Sequence, residues 1–71
     1  MIGKVIRYNQ QRGFGFIKGP NGKSVFVNYT AINNSRHRYL KAGQSVRFAV
    51  ARGLRGPQAV KVQPLNRDQL H

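Results

Sequence analysis

Five short stretches in which apolar and polar residues alternate predict five β-strands. The clearest is 46–51, where valine and phenylalanine alternate with arginine and alanine, a pattern typical of a half-buried strand. The other four predicted strands are 4–8, 13–17, 24–28 and 58–63. The only helical signal is a single turn at 30–34, with Thr30 as its cap.

Turn-forming residues separate these strands and make the connections between them short. Residues 18–23 contain Pro20, which presets φ, and an Asn-Gly pair that tolerates positive φ. Residues 52–57 form a hairpin loop punctuated by glycine, and 33–43 form a polar, basic loop. The first three strands are therefore expected to form a meander.

The chain has 71 residues, which is enough for one domain. Five short strands expose edges unless the sheet closes on itself. We therefore predict an all-β fold, a five-stranded antiparallel Greek-key barrel of the OB type, with an SH3-like barrel as the rival. The predicted domain spans 1–64, and the polar residues 65–71 form a frayed tail.

The second and third strands carry aliphatic side chains on one face and aromatic side chains on the other, because successive residues of a strand point to opposite faces. The predicted core is Ile17, Val25, Val27, Val46, Phe48, Val50 and Val62. This leaves Phe14, Phe16 and Phe26 on the outer face. The alternative is a second core beneath these rings, but so short a chain has little surface with which to build two cores.

Positive charge dominates the composition. There are 13 Lys and Arg residues against one acid, Asp68, which gives a formal net charge of +12. The basic residues are spread along the chain, so a disordered basic arm describes them poorly. A polyanion is the expected partner, and nucleic acid is the commonest one. No apolar run is long enough to span a membrane, and we expect no membrane partner and a cytoplasmic location.

The chain is poor in the residues that catalysis and metal binding need. It has no cysteine, two histidines and one acid, so it offers neither a metal-ligand set nor a carboxylate pair. We therefore expect no enzymatic activity, no metal and no cofactor.

Exposed rings interleaved with cations match the chemistry of single-stranded nucleic acid. Rings stack on unpaired bases, and lysine and arginine bind the phosphates between them. Gly13 and Gly15 lack side chains, which suggests that bases approach the backbone there.

Four motifs resemble those of the cold-shock domain family, in order and across residues 3–63. RGFGFI followed by VFVNY resembles the paired RNP motifs KGFGFI and VFVHF, and GKVIRYN resembles the opening GxVKWFN. AGQSVRF and RGPQAVKV resemble EGQxVxF and RGPQAxNV. The resemblance implies an OB-like barrel that binds single-stranded RNA and DNA with little sequence preference, often as an RNA chaperone.

Carried over by position, the resemblance also implies a set of nucleic-acid-binding residues. Arg7, Asn28 and Ser24 stand where the family has Trp, His and Asp, and His37 stands at a loop position that is usually aromatic. The expected set is Lys4, Arg7, Tyr8, Arg12, Phe14, Phe16, Phe26, Asn28, Tyr29, His37, Tyr39 and Arg55.

The expected function is therefore single-stranded RNA and DNA binding, with an RNA-chaperone or antitermination role in gene expression. One alternative is a nucleoid- or ribosome-associated protein that binds single- and double-stranded nucleic acid alike through charge. Another is an enzyme subunit or an adaptor whose barrel binds a protein through its aromatic face. We expect a monomer, and the exposed phenylalanines would also support a dimer or a domain swap.

Overall fold

A computed structural model describes residues 1–32, 40–54 and 56–65 of the chain. Five strands account for most of them: β1 (Ile2–Asn9), β2 (Phe14–Lys18), β3 (Ser24–Asn28), β4 (Ser45–Gly53) and β5 (Gly56–Pro64). The strands close into a barrel in the order β1-β2-β3-β5-β4. The contact between β3 and β5 is parallel, and the other four neighbouring pairs are antiparallel. The predicted five-stranded OB-type barrel is confirmed.

The core lies inside the barrel and is almost entirely aliphatic. Its members are Val5, Ile17, Val25, Val27, Ile32, Leu40, Val46, Phe48, Ala59 and Val62. Leu40 was assigned to a polar loop by the sequence pattern, yet it is 2% exposed. The residues before Leu40 are mostly polar, so no alternating pattern in the sequence marks it as a core residue.

The assignment of Val50 to the core is wrong. Val50 is 41% exposed, although it continues the alternation of Val46 and Phe48. The pairing of β4 with β5 shifts register between Arg47 and Ala49. Beyond this shift every residue of β4 from Ala49 to Arg52 is exposed.

The connections differ from the prediction at two places. A short 3-10 helix, Tyr29–Ala31, follows β3, and its cap is Asn28 rather than Thr30. The Oδ1 atom of Asn28 accepts a hydrogen bond from the Thr30 backbone N–H at 3.1 Å. In the β4–β5 hairpin the strands pair as far as Gly53 and Gly56, so the loop is shorter than the predicted 52–57.

The last strand ends at Pro64, and the structure describes one residue of the predicted tail after it. Leu65 is buried, and its backbone N–H donates to the carbonyl oxygen of Ser45 at 3.0 Å. The remainder of the predicted tail, 66–71, lies outside the described residues. Within the part of the chain that the structure describes, no helix is long and apolar enough to cross a membrane.

The barrel carries its positive charge without any acidic residue of its own. The one acid, Asp68, falls after residue 65. Lys4 of β1 lies directly opposite Lys18 of β2. Two like charges about 4 Å apart in water repel by about 1 kcal/mol, and salt weakens the repulsion between exposed charges.

We therefore expect the thermal midpoint of unfolding to rise as NaCl increases from low to moderate concentration. Lys18→Glu should raise the midpoint at low salt and flatten its salt dependence, because it places an ion pair across β1 and β2. Differential scanning calorimetry across a salt series measures both effects. A midpoint that does not depend on salt would contradict this interpretation.

Candidate nucleic-acid interface

Three phenylalanines form one patch on the outer surface of β2 and β3, which we call the aromatic surface: Phe14, Phe16 and Phe26. All three are half-buried, while the residues that alternate with them are buried in the core. The strand register places Phe16 directly opposite Phe26. The ring centroids of Phe14 and Phe26 lie 5.8 Å apart in a stacked arrangement, and those of Phe16 and Phe26 lie 6.0 Å apart, edge to face.

Arg7 extends the aromatic surface onto β1. The β1–β2 register shifts between Val5 and Arg7, and both Ile6 and Arg7 are exposed as a result. The guanidinium carbon of Arg7 lies 5.3 Å from the centre of the Phe16 ring. This cation–π contact contributes about 0.5–1 kcal/mol at an exposed site. It also adds a charged plane to the three rings.

Gly13, before Phe14, and Gly15, between Phe14 and Phe16, pack closely against other parts of the protein and also line the depressions beside the rings, so the approach of bases to the backbone there stays a prediction. A Cβ atom on Gly15 would collide with the carbonyl oxygen of Arg7 and lie 2.7 Å from the Cα of Tyr8. Gly13 has a φ of +75°, and a Cβ there would lie 2.7 Å from the ring of Tyr29. The glycines allow β1 and Tyr29 to pack closely against β2.

A groove of about 680 Å³ runs beside Phe14 and Phe16, along the loop that joins β1 to β2. The side chain of Asn9 holds this loop, since its Oδ1 accepts from the backbone N–H groups of Gln11 and Arg12, both at 3.0 Å. Arg12 is exposed and lines the groove. The loop therefore presents a cation next to the rings.

Tyr8 and Tyr29 lie at the far side of this loop and line a smaller depression together with Arg12. The ring of Tyr8 packs against the core, whereas Tyr29 is 44% exposed. Burial raises the pKa of the Tyr8 phenol, and the neighbouring Tyr29 raises it further. Tyr8 is therefore neutral at physiological pH, and its hydroxyl remains a hydrogen-bond donor.

On its other side the aromatic surface borders a depression of about 530 Å³, lined by Phe14, Phe26, Asn28, Gln58 and the tip of the β4–β5 hairpin. Gln58 is the parallel partner of Phe26. Leu54, at the hairpin tip, is fully exposed. Sequence reasoning did not find Gln58 or Leu54, because no local pattern indicates which strand lies beside β3.

The structure thus gathers most of the predicted site residues along one side of the barrel. Lys4 lies apart from the rings, because its partner across β1 and β2 is Lys18 and not a phenylalanine. Three of the predicted residues, His37, Tyr39 and Arg55, lie outside the described residues.

Comparison with known proteins supports the family that the sequence resembles. The family model described as the 'Cold-shock' DNA-binding domain matches residues 1–65. The cold shock protein CspD of Bacillus subtilis is 46% identical over 63 residues, which cover 89% of this chain and 96% of that protein. The major cold shock protein of Streptococcus pyogenes is also 46% identical over 63 residues, covering 89% of this chain and 94% of that protein.

A solved structure, drosophila Unr CSD456, superimposes with a TM-score of 0.71 at 18% identity. The match covers 99% of this chain, which spans 28% of that longer one, and at this identity it supports the fold alone.

The closed barrel, with aromatic rings and cations on the outer face of β2 and β3, places the protein among the OB-type barrels, which bind ligands on that face. With the family model and the relatives above, the assignment becomes specific. The chain belongs to the cold-shock domain family.

Proposed function

We propose that this protein binds single-stranded RNA and DNA by stacking unpaired bases on the aromatic surface. The observation that best supports this proposal is the contact of three phenylalanine rings on the outside of the barrel, where they are partly exposed. The core of the barrel does not include any of these rings. Each stacked base contributes about 1–3 kcal/mol, and stacking tolerates any base because every base has a π-face.

The residues around the rings provide further base stacking and phosphate binding. Arg7 offers a guanidinium plane beside Phe16, on which a further base stacks or to which a phosphate binds. Arg12 binds a phosphate beside the rings, and Lys4 binds one farther from them, next to Lys18. We propose that Tyr8, Tyr29, His37, Tyr39 and Arg55 complete the interface, as the family resemblance implies.

Asn28 contributes to base recognition through one half of its amide. Its Oδ1 already accepts hydrogen bonds from the backbone N–H and the hydroxyl of Thr30, at 3.1 and 3.3 Å. The NH₂ group remains to donate to a base at the edge of the ring cluster. Where the family has a histidine that stacks, this chain therefore offers a donor that favours bases with a carbonyl or ring-nitrogen acceptor there.

Stacking also predicts that unpaired strands bind more tightly than duplexes. Bases inside a duplex are stacked on each other, and separating them costs on average about 1.4 kcal/mol per base-pair step. A protein that binds only the unpaired state shifts the equilibrium toward that state. We propose an RNA-chaperone or antitermination role on this basis, with duplex binding as a weaker activity driven by charge.

Fluorescence-anisotropy titration of a labelled oligo-dT and of the matching duplex, across a salt series, tests this function. We expect the single strand to bind more tightly at every salt concentration, because stacking energy is insensitive to salt. The charge-driven alternative gives equal affinities and equally steep salt dependence for both ligands. That result would show that the positive charge carries the binding.

A further inference from the structure

Four cations lie next to one another on the neighbouring strands β2, β1 and β4, beside the aromatic surface. We call Arg7, Lys18, Lys4 and Arg47 the cationic row; all four are exposed. Lys18 of β2 is directly opposite Lys4 of β1. Such partners lie about 5 Å apart, and diagonal partners about 7–8 Å apart.

The two remaining steps of the cationic row are diagonal. Arg7 is opposite Phe16, two residues before Lys18 on the same strand, so Arg7 and Lys18 are diagonal neighbours. On the other side of β1, Lys4 is opposite Ser45 and Ile2 is opposite Arg47, which makes Lys4 and Arg47 diagonal neighbours. The positive charges are therefore closely and continuously spaced from β2 to β4.

No acidic side chain in the barrel neutralises these cations, because residues 1–65 contain neither Asp nor Glu. Ser24 lies opposite Lys18 and Ser45 opposite Lys4, so a hydroxyl flanks the row on each side. Lysine, arginine and serine are all phosphate-binding side chains. Within residues 1–65 no carboxylate relieves the self-repulsion of the row, which favours the binding of an external anion.

Arg7 joins the cationic row to the aromatic surface, since its guanidinium lies against the Phe16 ring. We propose that a single strand leaving the aromatic surface continues along the row, with its phosphates on Lys18, Lys4 and Arg47. The bound length therefore exceeds what the rings cover, and it does so at one end of the strand. This inference rests on the proposed function, because the rings fix where the strand enters the row.

Abasic nucleotides provide the direct probe, since they add phosphates without bases. A short oligo-dT that covers the aromatic surface is compared with the same oligonucleotide carrying an abasic extension at its 5′ or its 3′ end. We expect tighter binding from one of the two extensions only. The slope of log K against log salt should steepen by about two for that extension, since each single-strand phosphate contact contributes about 0.7.

Arg47→Gln and Lys18→Gln should each remove part of this gain while the unextended oligo-dT keeps its affinity. Arg52→Gln is the matched control, because it removes the same charge from the same strand. It lies five residues from Arg47, which is about 16 Å along a strand. Its effect should be the same for extended and unextended ligands. Thermal midpoints confirm that all three variants are folded.

The possible results distinguish a failure of the cationic-row proposal from a failure of the proposed function. Equal gains from the 5′ and 3′ extensions would overturn the proposal in favour of diffuse attraction by net charge. No gain from either extension, or a gain that survives Arg47→Gln and Lys18→Gln, would also overturn it. In these cases oligo-dT still binds through the rings. Loss of the proposed function itself would appear instead as weak binding of the unextended oligo-dT.

Discussion

Replacing Phe14 and Phe26 together with alanine is expected to weaken oligo-dT binding by about 2–6 kcal/mol, which is at least about thirtyfold in Kd. The two rings stack on each other at 5.8 Å between centroids and form the centre of the aromatic surface. Their removal takes away the platform for two bases. It removes no charge, so the slope of log K against log salt should change little.

Anisotropy titration at several salt concentrations measures both quantities. Val50→Ala is the matched control, because it truncates an exposed apolar side chain on β4 and should leave binding unchanged. The phenylalanines are half-buried and lie outside the core cluster, so the double variant should remain folded. If the folded double variant bound oligo-dT as tightly as the unmodified protein, the rings would not be the binding platform.

Gly15→Ala is expected to destabilise the fold severely, although it adds one methyl group next to the binding surface. The new Cβ would collide with the backbone of Arg7 and Tyr8. Backbone atoms of a paired strand cannot rotate away as a flexible side chain can. Overpacking of this kind costs about 1–3 kcal/mol or more. A core of this size supplies only about 3–5 kcal/mol, so a large share of the molecules should be unfolded at 37 °C.

Urea unfolding monitored by tyrosine fluorescence measures this loss. Gly19→Ala provides the control, because a Cβ on that buried glycine of the same hairpin would meet its nearest neighbour at 3.4 Å, an ordinary contact. It should leave the unfolding midpoint unchanged or raise it slightly by restricting the unfolded chain. Equal midpoints for the two alanine variants would show that β1 can move away from Gly15.

The outward position of the phenylalanines could be predicted from the sequence because it depends on local geometry alone. A strand alternates its side chains between two faces, so burying Ile17, Val25 and Val27 leaves Phe14, Phe16 and Phe26 outside. The turn at 18–23 could be predicted for the same reason: Pro20 and the Asn-Gly pair act through their own φ angles. The family assignment also came from the sequence, since its motifs are contiguous.

Predictions that assumed an uninterrupted strand were less successful. Val50 follows the alternation of its strand and is nevertheless exposed, because the register of β4 against β5 shifts before it. Arg7 lies over Phe16 because of a similar irregularity in β1. Bulges depend on how two strands accommodate each other, and the sequence of one strand does not reveal them.

The sequence by itself determined the number of strands, the face on which the rings lie and the excess of positive charge. Each of these follows from the period of a strand or from composition. Only the tertiary structure decided that Gln58 lies beside Phe26, that Leu40 is buried, and that Lys18, Lys4 and Arg47 form one row. These relations join residues far apart in the chain, and they exist because closing the barrel brings β1 against β4 and β3 against β5.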